Sequence, residues 1–310
     1  MTSVRPYEPS DHAAWDALVR SSRVSHFLFL RDYMEYHSDR FEDVSLLVLE
    51  EDRLVAVLPA NRDGSEVVSH GGLTFGGLVG GPAMSANGAL RALEAVAAHL
   101  AAAGFERLVY KPVPHVYHVA PAEEDLYALF RLGARLLARD LSSAIRLDAP
   151  LPYSKGRRAS LKAAREHALE VAPDQDFDGF IALAERVLER HAATPTHSAD
   201  ELAALASRFP EHIRLVTARQ GGELVAGVVV YETDVLAHTQ YIAASEAGKS
   251  LGAVDVIVDA LVTRYKGRKR WFDFGISSER GGETLNEGLV RNKESYGARA
   301  VVYDRYVLDL

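Results

Sequence analysis

The hydrophobic and polar positions of the chain form two similar series, one in each half. In the first half, a mostly apolar run at 45–49 precedes a polar turn at 50–53 and a second apolar run at 54–58. In the second half, residues 213–218 and 224–230 flank another polar turn that contains two glycines. Two β-rich runs separated by a short turn are typical of a β-hairpin, so each half is predicted to contain one.

The same order of elements follows each hairpin. Gly104 and Gly267 are placed to end the two longest helices, because glycine readily adopts the left-handed conformation that closes a helix. The predicted elements are a helix at 85–103, a strand at 107–111, a helix at 122–133 and a strand at 143–147, then a helix at 250–265, a strand at 270–274, a helix at 283–296 and a strand at 300–308. This order predicts an α+β (mixed α/β) fold of two tandem domains, each a mixed, mostly antiparallel sheet flanked by helices.

The length of the chain agrees with this duplication. At about 150 residues per domain, 310 residues accommodate two domains. Pro150 and Pro152 favour an extended linker near 148–153. We therefore predict one domain at 1–150 and a second at 151–310.

Composition and charge narrow the class of protein. The chain is 48% hydrophobic and 25% charged, as soluble globular proteins are. Its 35 basic and 43 acidic residues leave a net charge of −8, which argues against a DNA partner gripped over a broad surface but is compatible with a local basic groove. The chain begins without a signal-peptide pattern, and no run reaches the roughly 18 apolar residues of a membrane span. We expect a cytoplasmic protein without a membrane span.

Two residue types restrict the chemistry further. The absence of cysteine excludes disulfides, thiolate nucleophiles and zinc–thiolate sites. His115 and His118 have no third ligand at a suitable spacing, so no metal cofactor is predicted.

A Gly-Lys-Ser sequence at 248–250 stands where the strand predicted at 236–242 passes into the following helix. The N-terminus of a helix offers unpaired N–H groups and positive potential, which suit a phosphate group. A P-loop would need glycine at position 243, where Ala243 stands, and would not follow an antiparallel hairpin. The remaining interpretations are a phosphate-binding turn of another kind and a plain turn between strand and helix.

The strand at 236–242 carries a candidate general base. Alternation predicts His238, Gln240 and Ile242 on one face of this strand and Thr239 and Tyr241 on the other. Histidine titrates near neutral pH, which suits proton transfer, although a single strand histidine is also a common structural residue.

Asp273 and Lys293 are two further candidates. Asp273 lies in an aromatic strand, where a carboxylate could orient a partner or be a satisfied buried group. Lys293 lies in the last predicted helix, where a lysine is commonly a solvated surface residue.

The turn at 247–252 resembles the pyrophosphate loop of the GNAT acyltransferase superfamily. The family pattern is Gln/Arg-x-x-Gly-x-Gly/Ala at the start of a long helix. Here Gly252 matches the second glycine, whereas Ala247 and Ser250 occupy the basic position and the first glycine position. The chain then continues in the GNAT order of strand, asparagine-containing helix and closing strand.

The residues that depart from the family pattern resemble the pattern of one branch of that superfamily. Asn286 and Gly297 stand at family positions, but Lys293 occupies the place of the usual general-acid tyrosine. This resembles the FemAB/FemX branch, in which two GNAT-like domains stand in tandem and the second ends in a Lys-x-x-x-Gly-like segment. The basic helix at 154–165 also resembles the beginning of that branch's second domain. The likeness in layout covers the whole chain, and its specific motifs cover about 150–305.

The resemblance implies an N-acyltransferase that moves an acyl group, such as acetyl, from acetyl-CoA or another acyl-CoA to a primary amine. The implied acceptor is a small molecule such as an amino sugar or an amino-acid-type amine, attacked directly in a ternary complex that needs no cysteine. Lys293 would then act on the oxyanion or the leaving group, His238 would act as the base, and Asp273 would orient a partner. The donor would be bound by Lys249, Ser250, Gly252, Ala253 and Asn286.

Other residues are expected to contact the substrate. They lie in the glycine-rich run 70–82, after the strand at 107–111, on the basic helix and on the strand at 236–242. Glycine lets a ligand approach the backbone closely, and basic residues at i, i+4 and i+7 share one helix face that suits phosphate. Each of these segments also has a structural interpretation, as a bulged strand, a plain loop or a solvated face. The residues are His70, Phe75, Lys111, His115, Tyr117, Arg158, Lys162, Gln240 and Tyr241.

Two other functions remain open. An aminoacyl-tRNA could be the donor, which the incomplete pyrophosphate motif and the basic helix favour and the lack of a long basic surface opposes. The other is a non-catalytic GNAT-like binding protein, since Lys293 and Ala247 depart from the family at defining positions. Whether the donor is an acyl-CoA or an aminoacyl-tRNA, the first domain would shape the acceptor site of the enzyme. The second domain would bind the donor and perform the transfer.

Overall fold

The structure of the protein, a computed structural model, describes residues 1–189 and 195–310. The chain divides into two compact units. The first comprises Met1–Leu141, Ser278–Leu285 and Val301–Leu310, and the second comprises Ser142–Ser277 and Asn286–Ala300. Each unit is built from separated segments, so this division does not coincide with a linear one at residue 150. The functional division into 1–150 and 151–310 remains a prediction.

Helices and strands follow one another in the order that the hydrophobic pattern predicts, with short elements added between them. The helices are α1 (His12–Ser21), α2 (Arg31–Met34), α3 (Ala86–Ala102), α4 (Glu124–Arg131), α5 (Lys155–Ala164), α6 (Phe177–Leu188), α7 (Ala199–Arg208), α8 (Glu246–Ser250), α9 (Ala253–Tyr265) and α10 (Glu287–Glu294). The strands are β1 (Thr2–Pro6), β2 (Leu46–Glu50), β3 (Arg53–Leu58), β4 (Ala60–Asp63), β5 (Glu66–Ser69), β6 (Val79–Gly80), β7 (Arg107–Tyr110), β8 (Arg135–Arg146), β9 (Glu170–Asp174), β10 (Ile213–Gln220), β11 (Glu223–Glu232), β12 (Leu236–Ala244), β13 (Trp271–Ile276), β14 (Ser278–Glu279), β15 (Thr284–Leu285) and β16 (Arg299–Asp309).

In the first unit, β1-β2-β3-β6 form one sheet and β4-β5-β7-β16-β8 lie side by side in another. The predicted hairpin is formed by β2 and β3, which pair antiparallel. The predicted helix at 85–103 is α3, whose first turn is capped by the side chain of Ser85, which accepts from the N–H of Gly88. Leu93 and Val96 of this helix are fully buried, and each such side chain contributes about 1.5–3 kcal/mol. Hairpin and helix are both confirmed.

In the second unit, the end of β8 pairs with β13, and the order continues through β12, β11 and β10 to β9. The second predicted hairpin is formed by β10 and β11, which pair antiparallel. Val228 and Val230 of β11 pack in one core cluster with Ile257 and Leu261 of α9. Spacings of two on the strand and four on the helix present these side chains on one face of each element. The predicted fold class, a mixed sheet flanked by helices, is confirmed.

Three predicted boundaries differ from the structure by more than two residues. The strand predicted at 143–147 is the end of the longer strand β8. The helix predicted from residue 250 begins at Ala253, because Gly252 has a left-handed φ of +67° that interrupts the helical backbone. The helix predicted at 283–296 begins at Glu287, since the side chain of Asn286 accepts from the N–H of Leu289 at 3.0 Å. Asn286, which is predicted to contact the acyl donor, thus acts as the N-terminal cap of α10.

Strands β12 and β13 pair in parallel over a short stretch only. The paired residues are Leu236↔Trp271, Ala237↔Phe272 and His238↔Asp273. Beyond this stretch β12 continues to Ala244 and β13 to Ile276, and the two described strands no longer pair with each other. We call this arrangement the fork; His238 and Asp273 stand at its closed end.

Candidate active site

His238 and Asp273 form a hydrogen-bonded pair at the closed end of the fork. Nδ1 of His238 lies 2.7 Å from Oδ2 of Asp273, and the hydroxyl of Ser142 donates to Oδ1 of the same carboxylate at 2.6 Å. Asp273 and Ser142 are fully buried, whereas 18% of the His238 side chain is exposed. A carboxylate that accepts from Nδ1–H selects the tautomer whose lone pair is on Nε2. The arrangement therefore suits a histidine base that a buried acid orients.

A β-bulge in β12 changes which residues share a face with His238. The register of β11 against β12 skips Gln240, which is an extra residue between Thr239 and Tyr241. Side chains beyond a bulge change faces, so His238 shares its face with Tyr241 and not with Ile242. The simple alternation predicted for this strand is wrong, because the bulge depends on the pairing with β11 and not on the local residue pattern.

Lys293 of α10 reaches the end of β13. Its Nζ donates to the carbonyl oxygen of Gly275 at 2.8 Å and to that of Ile276 at 2.9 Å. The residue is 5% exposed, and burial lowers the pKa of Lys293 to about 8, an effect that the charge of Asp273 partly offsets. An ammonium group has three N–H donors, and the two carbonyls account for two of them. Lys293 is therefore a buried cation whose proton is more easily lost than that of an ordinary lysine.

A second bulge, in β13, places His238 and Lys293 against one segment of that strand. Between Asp273 and Ile276, β13 contains one residue more than the paired part of β8. Gly275 lies inside this bulge with a φ of +76°, and a Cβ there would lie 3.1 Å from Cε1 of His238. Glycine at this position permits both the left-handed backbone and the close approach of the imidazole.

The turn predicted to bind the donor is folded as the short helix α8. Lys249 forms an exposed ion pair with Glu246 at 2.9 Å, and the hydroxyl of Ser250 donates to the carbonyl of Glu246 at 3.0 Å. Lys249 and Ser250, which are predicted to contact the acyl donor, therefore have partners within the same helix. The hydroxyl oxygen of Ser245 caps α8 by accepting from the N–H of Gly248 at 3.0 Å.

The backbone N–H groups of this turn are also used within it. The N–H of Lys249 donates to the carbonyl of Ser245, and that of Gly252 donates to the carbonyl of Lys249. Helix α9 then starts at the buried Ala253 and holds Asp255 in its first turn. The amides of Gly248, Lys249 and Gly252 thus have partners among the carbonyl and hydroxyl groups of the turn. The N-terminus of α9 has the general polarity of a helix N-terminus, which suits a phosphate.

The basic helix α5 is partly neutralised. Arg157 pairs with Asp255, and its guanidinium lies over the ring of Tyr296, 4.0 Å from the centroid. The predicted substrate contacts Arg158 and Lys162 are exposed on the same helix. Arg157 therefore stabilises the packing of α5, while Arg158 and Lys162 remain on the surface, where a phosphate-bearing substrate would meet them.

Four predicted substrate residues form a buried cluster in the first unit. Nζ of Lys111 donates to the carbonyl oxygen of His70 at 2.7 Å. Burial lowers the pKa of Lys111 to about 8 and that of His70 to about 4. The rings of Phe75 and Tyr117 lie 4.6 Å apart, whereas His115 is exposed. The four buried residues are interior groups of the first unit, and for them and for the exposed His115 a role in substrate binding stays a prediction.

Sequence reasoning did not identify Ser142, Gly275 or His197. Nδ1 of His197 lies 2.5 Å from the hydroxyl of Tyr241, a predicted substrate contact. Ser142 is 131 residues away from Asp273 along the chain, so no local pattern connects the two. Gly275 did carry a signal, because a glycine inside an apolar strand often marks a bulge.

The described residues, 1–189 and 195–310, contain neither a candidate metal site nor a candidate membrane-spanning helix. No group of three His, Asp or Glu side chains there could hold a metal ion. No helix in the same part of the chain is long and apolar enough to cross a membrane. The expected absence of a metal cofactor and the expected cytoplasmic location remain predictions.

Comparison with known proteins assigns part of the chain to a known domain family. Residues 154–282 match the family model described as the acetyltransferase (GNAT) domain. No curated protein sequence matches the chain. Residues 154–282, fewer than half of the chain, therefore match a GNAT acetyltransferase domain, which supports an acyltransferase.

Several solved structures have a fold similar to that of nearly the whole chain. FemX matches with a TM-score of 0.70 at 11% identity, over 99% of this chain and 97% of FemX. L-PGS from Bacillus licheniformis matches with a TM-score of 0.63 at 13% identity, over 98% and 92% of the two chains. A tandem GNAT protein from the clavulanic acid biosynthesis pathway matches with a TM-score of 0.52 at 13% identity, over 100% and 98%. The fold is that of FemX-like tandem GNAT proteins, which confirms the resemblance found in the sequence.

Proposed function

We propose that this protein transfers an acyl or aminoacyl group from an activated donor to a primary amine of a small molecule. The observation that carries the proposal is the fork in a GNAT-fold domain, where the His238–Asp273 pair and the ammonium of Lys293 meet one segment of β13. Acylation of an amine needs a base for the amine, a positioned carbonyl group and a donor for the developing oxyanion. The fork contains candidates for the first and the third.

His238 is proposed as the base. The acceptor amine attacks the carbonyl carbon of the donor to form the C–N bond, and Nε2 of His238 takes the proton that the amine loses. The carboxylate of Asp273, 2.7 Å from Nδ1, holds the ring and stabilises the imidazolium that forms. Both residues lie on strands of one sheet, so their geometry is set without a loop movement.

Lys293 is proposed as the general acid of the reaction. Its ammonium stabilises the oxyanion and then gives a proton to the leaving oxygen or sulfur as the bond to the acyl group breaks. With a pKa of about 8, which burial causes, Lys293 is still mostly protonated at neutral pH. A group with a pKa close to the working pH is an efficient proton donor.

The turn before α9 favours an aminoacyl ester, as carried by an aminoacyl-tRNA, over an acyl-CoA thioester. The resemblance to GNAT enzymes implies that this turn would hold the pyrophosphate of CoA, but the N–H groups of Gly248, Lys249 and Gly252 have partners within the turn. Arg158 and Lys162, exposed on α5, offer charge to the backbone of a nucleic acid. Acetyl-CoA or another acyl-CoA is the second candidate, because the N-terminus of a helix such as α9 has a polarity that suits phosphate.

One experiment tests the function and separates the donors. The full chain is incubated with a panel of amino sugars and amino acids and with either charged tRNA or acetyl-CoA and longer acyl-CoAs, and mass spectrometry detects new amides. We expect a product with charged tRNA that ribonuclease treatment abolishes. A product from an acyl-CoA alone would reassign the donor. No product from any donor, with no thermal shift on adding one, would leave a non-catalytic binding protein.

A further inference from the structure

We infer that Ser142 is a positioning residue for the His238 base and acts through Asp273. The inference rests on the proposed function, because it treats His238 as the proton acceptor. Ser142 lies on β8, on the opposite side of β13 from β12, which carries the histidine. The hydrogen-bonded series Ser142–Asp273–His238 therefore crosses three adjacent strands of the second unit.

Two short hydrogen bonds connect the three side chains of this series. The hydroxyl of Ser142 donates to Oδ1 of Asp273 at 2.6 Å, and Oδ2 of the same carboxylate lies 2.7 Å from Nδ1 of His238. Each carboxylate oxygen thus has its own donor, one from each neighbouring strand. Ser142 and Asp273 are both fully buried, so water does not compete for these hydrogen bonds.

This arrangement gives Ser142 an effect on the base. A carboxylate can turn about its Cβ–Cγ bond, and a fixed donor on one oxygen restricts that rotation. The restriction holds the other oxygen in line with Nδ1–H, which keeps the lone pair of His238 on Nε2. A misplacement of about 1 Å at a catalytic group can cost about 100-fold in rate, so loss of this restraint should be visible in turnover.

The test compares Ser142→Ala with Ser143→Ala. Ser143 is the adjacent residue of β8, is 1% exposed, and faces the opposite side of the strand, which makes it a control of equal burial. Two readouts are taken: kcat and KM with the active donor, and the ¹⁵N NMR signals of the histidine rings at neutral pH. The His238 signals are assigned by their loss in His238→Gln.

We expect wild type and S143A to show the Nδ1–H tautomer at His238 and turnover within about twofold of each other. S142A should show a mixture of tautomers and a kcat lower by about 10- to 100-fold, with KM for the amine little changed. Ser142→Thr, which keeps the hydroxyl, should recover most of both properties. An S142A variant with the wild-type tautomer and turnover would overturn the inference.

Two further outcomes remain decisive. If S142A does not fold, Ser142→Cys replaces the hydroxyl with a weaker donor of similar size, and an unchanged tautomer and kcat in that variant would overturn the inference. If wild type acylates no amine with any donor, the proposed function fails. The tautomer of His238 in S142A and S143A then still decides whether Ser142 positions the imidazole.

Discussion

Nζ of Lys293 lies 2.8 Å from the carbonyl oxygen of Gly275, the residue against which the imidazole of His238 packs. The cation of α10 and the histidine of β12 are thus both positioned by one bulged segment of β13. Carbonyl dipoles of this segment stabilise the ammonium, while burial lowers the pKa of Lys293 to about 8. A change in the segment should therefore affect both groups together.

Replacing Lys293 with methionine should lower kcat by about 100-fold or more and leave the affinity for the donor nearly intact, because the ammonium acts mainly on charge that develops in the transition state. Steady-state kinetics and a thermal-shift titration with the donor measure the two effects. Lys266→Met, which removes an exposed lysine just after α9, is the control and should keep wild-type turnover. Full turnover by K293M would show that the assignment is wrong.

The pKa of Lys293 also predicts an alkaline limit to activity. Burial lowers this pKa to about 8, so a reaction that needs the ammonium should slow as the pH rises through about 8. Lys293→Arg keeps a charge that is not lost in this range, so its slower reaction should show no alkaline fall near that pH. A wild-type rate that stays constant from about pH 7 to about pH 9.5 would contradict a protonated Lys293.

A methyl group at Gly275 should disturb the base. Its Cβ would lie 3.1 Å from Cε1 of His238, at a φ of +76°. We expect Gly275→Ala to lower kcat by about tenfold or more, and to lower the free energy of unfolding by about 1 kcal/mol through backbone strain. Gly267→Ala is a matched control, since Gly267 has a φ of +74° but open space around its Cβ position. It should lose similar stability and keep its kcat; equal kcat losses in the two variants would argue against the contact.

His238 and Asp273 should behave as one unit in kinetics. His238→Gln and Asp273→Asn should each lower kcat by about 100-fold or more, because one removes the base and the other its orientation. The double variant should be no slower than His238→Gln alone, since residues that act together give non-additive losses. Asp259→Asn, which breaks an ion pair of α9 with Arg165, should keep normal turnover. Additive losses in the double variant would mean that the two residues act independently.

A pH-dependent stability is expected from Asp125 in the first unit. The hydroxyl of Tyr110 donates to its carboxylate at 2.7 Å, and burial raises the pKa of Asp125 from its ordinary value of 3.8 to about 6. The folded chain therefore binds more protons than the unfolded chain between about pH 4 and about pH 6, so the free energy of unfolding should fall as the pH rises through that range and level off above it. Urea unfolding at several pH values, compared with Asp125→Asn, measures this contribution. The same pH dependence in both proteins would rule it out.

Most of the helices and strands and several candidate site residues can be predicted from the sequence alone. The hairpins β2–β3 and β10–β11, the helices α3 and α9 and the final strand all follow from hydrophobic periodicity, because burial of one face is a local property of a strand or helix. His238 and Asp273 are also recognisable, as polar groups in apolar strands, and Lys293 is recognised from the resemblance of its segment to the GNAT pattern.

Only the tertiary structure decided how these candidates are arranged. The extra residue Gln240, the bulge at Gly275 and the contact of Ser142 with Asp273 all depend on the register between strands. The partners in the last contact are 131 residues apart, so the hydrogen bond exists only because the sheet places β8 beside β13. Local propensity carries no information about such a register, which is set by the packing of the whole unit.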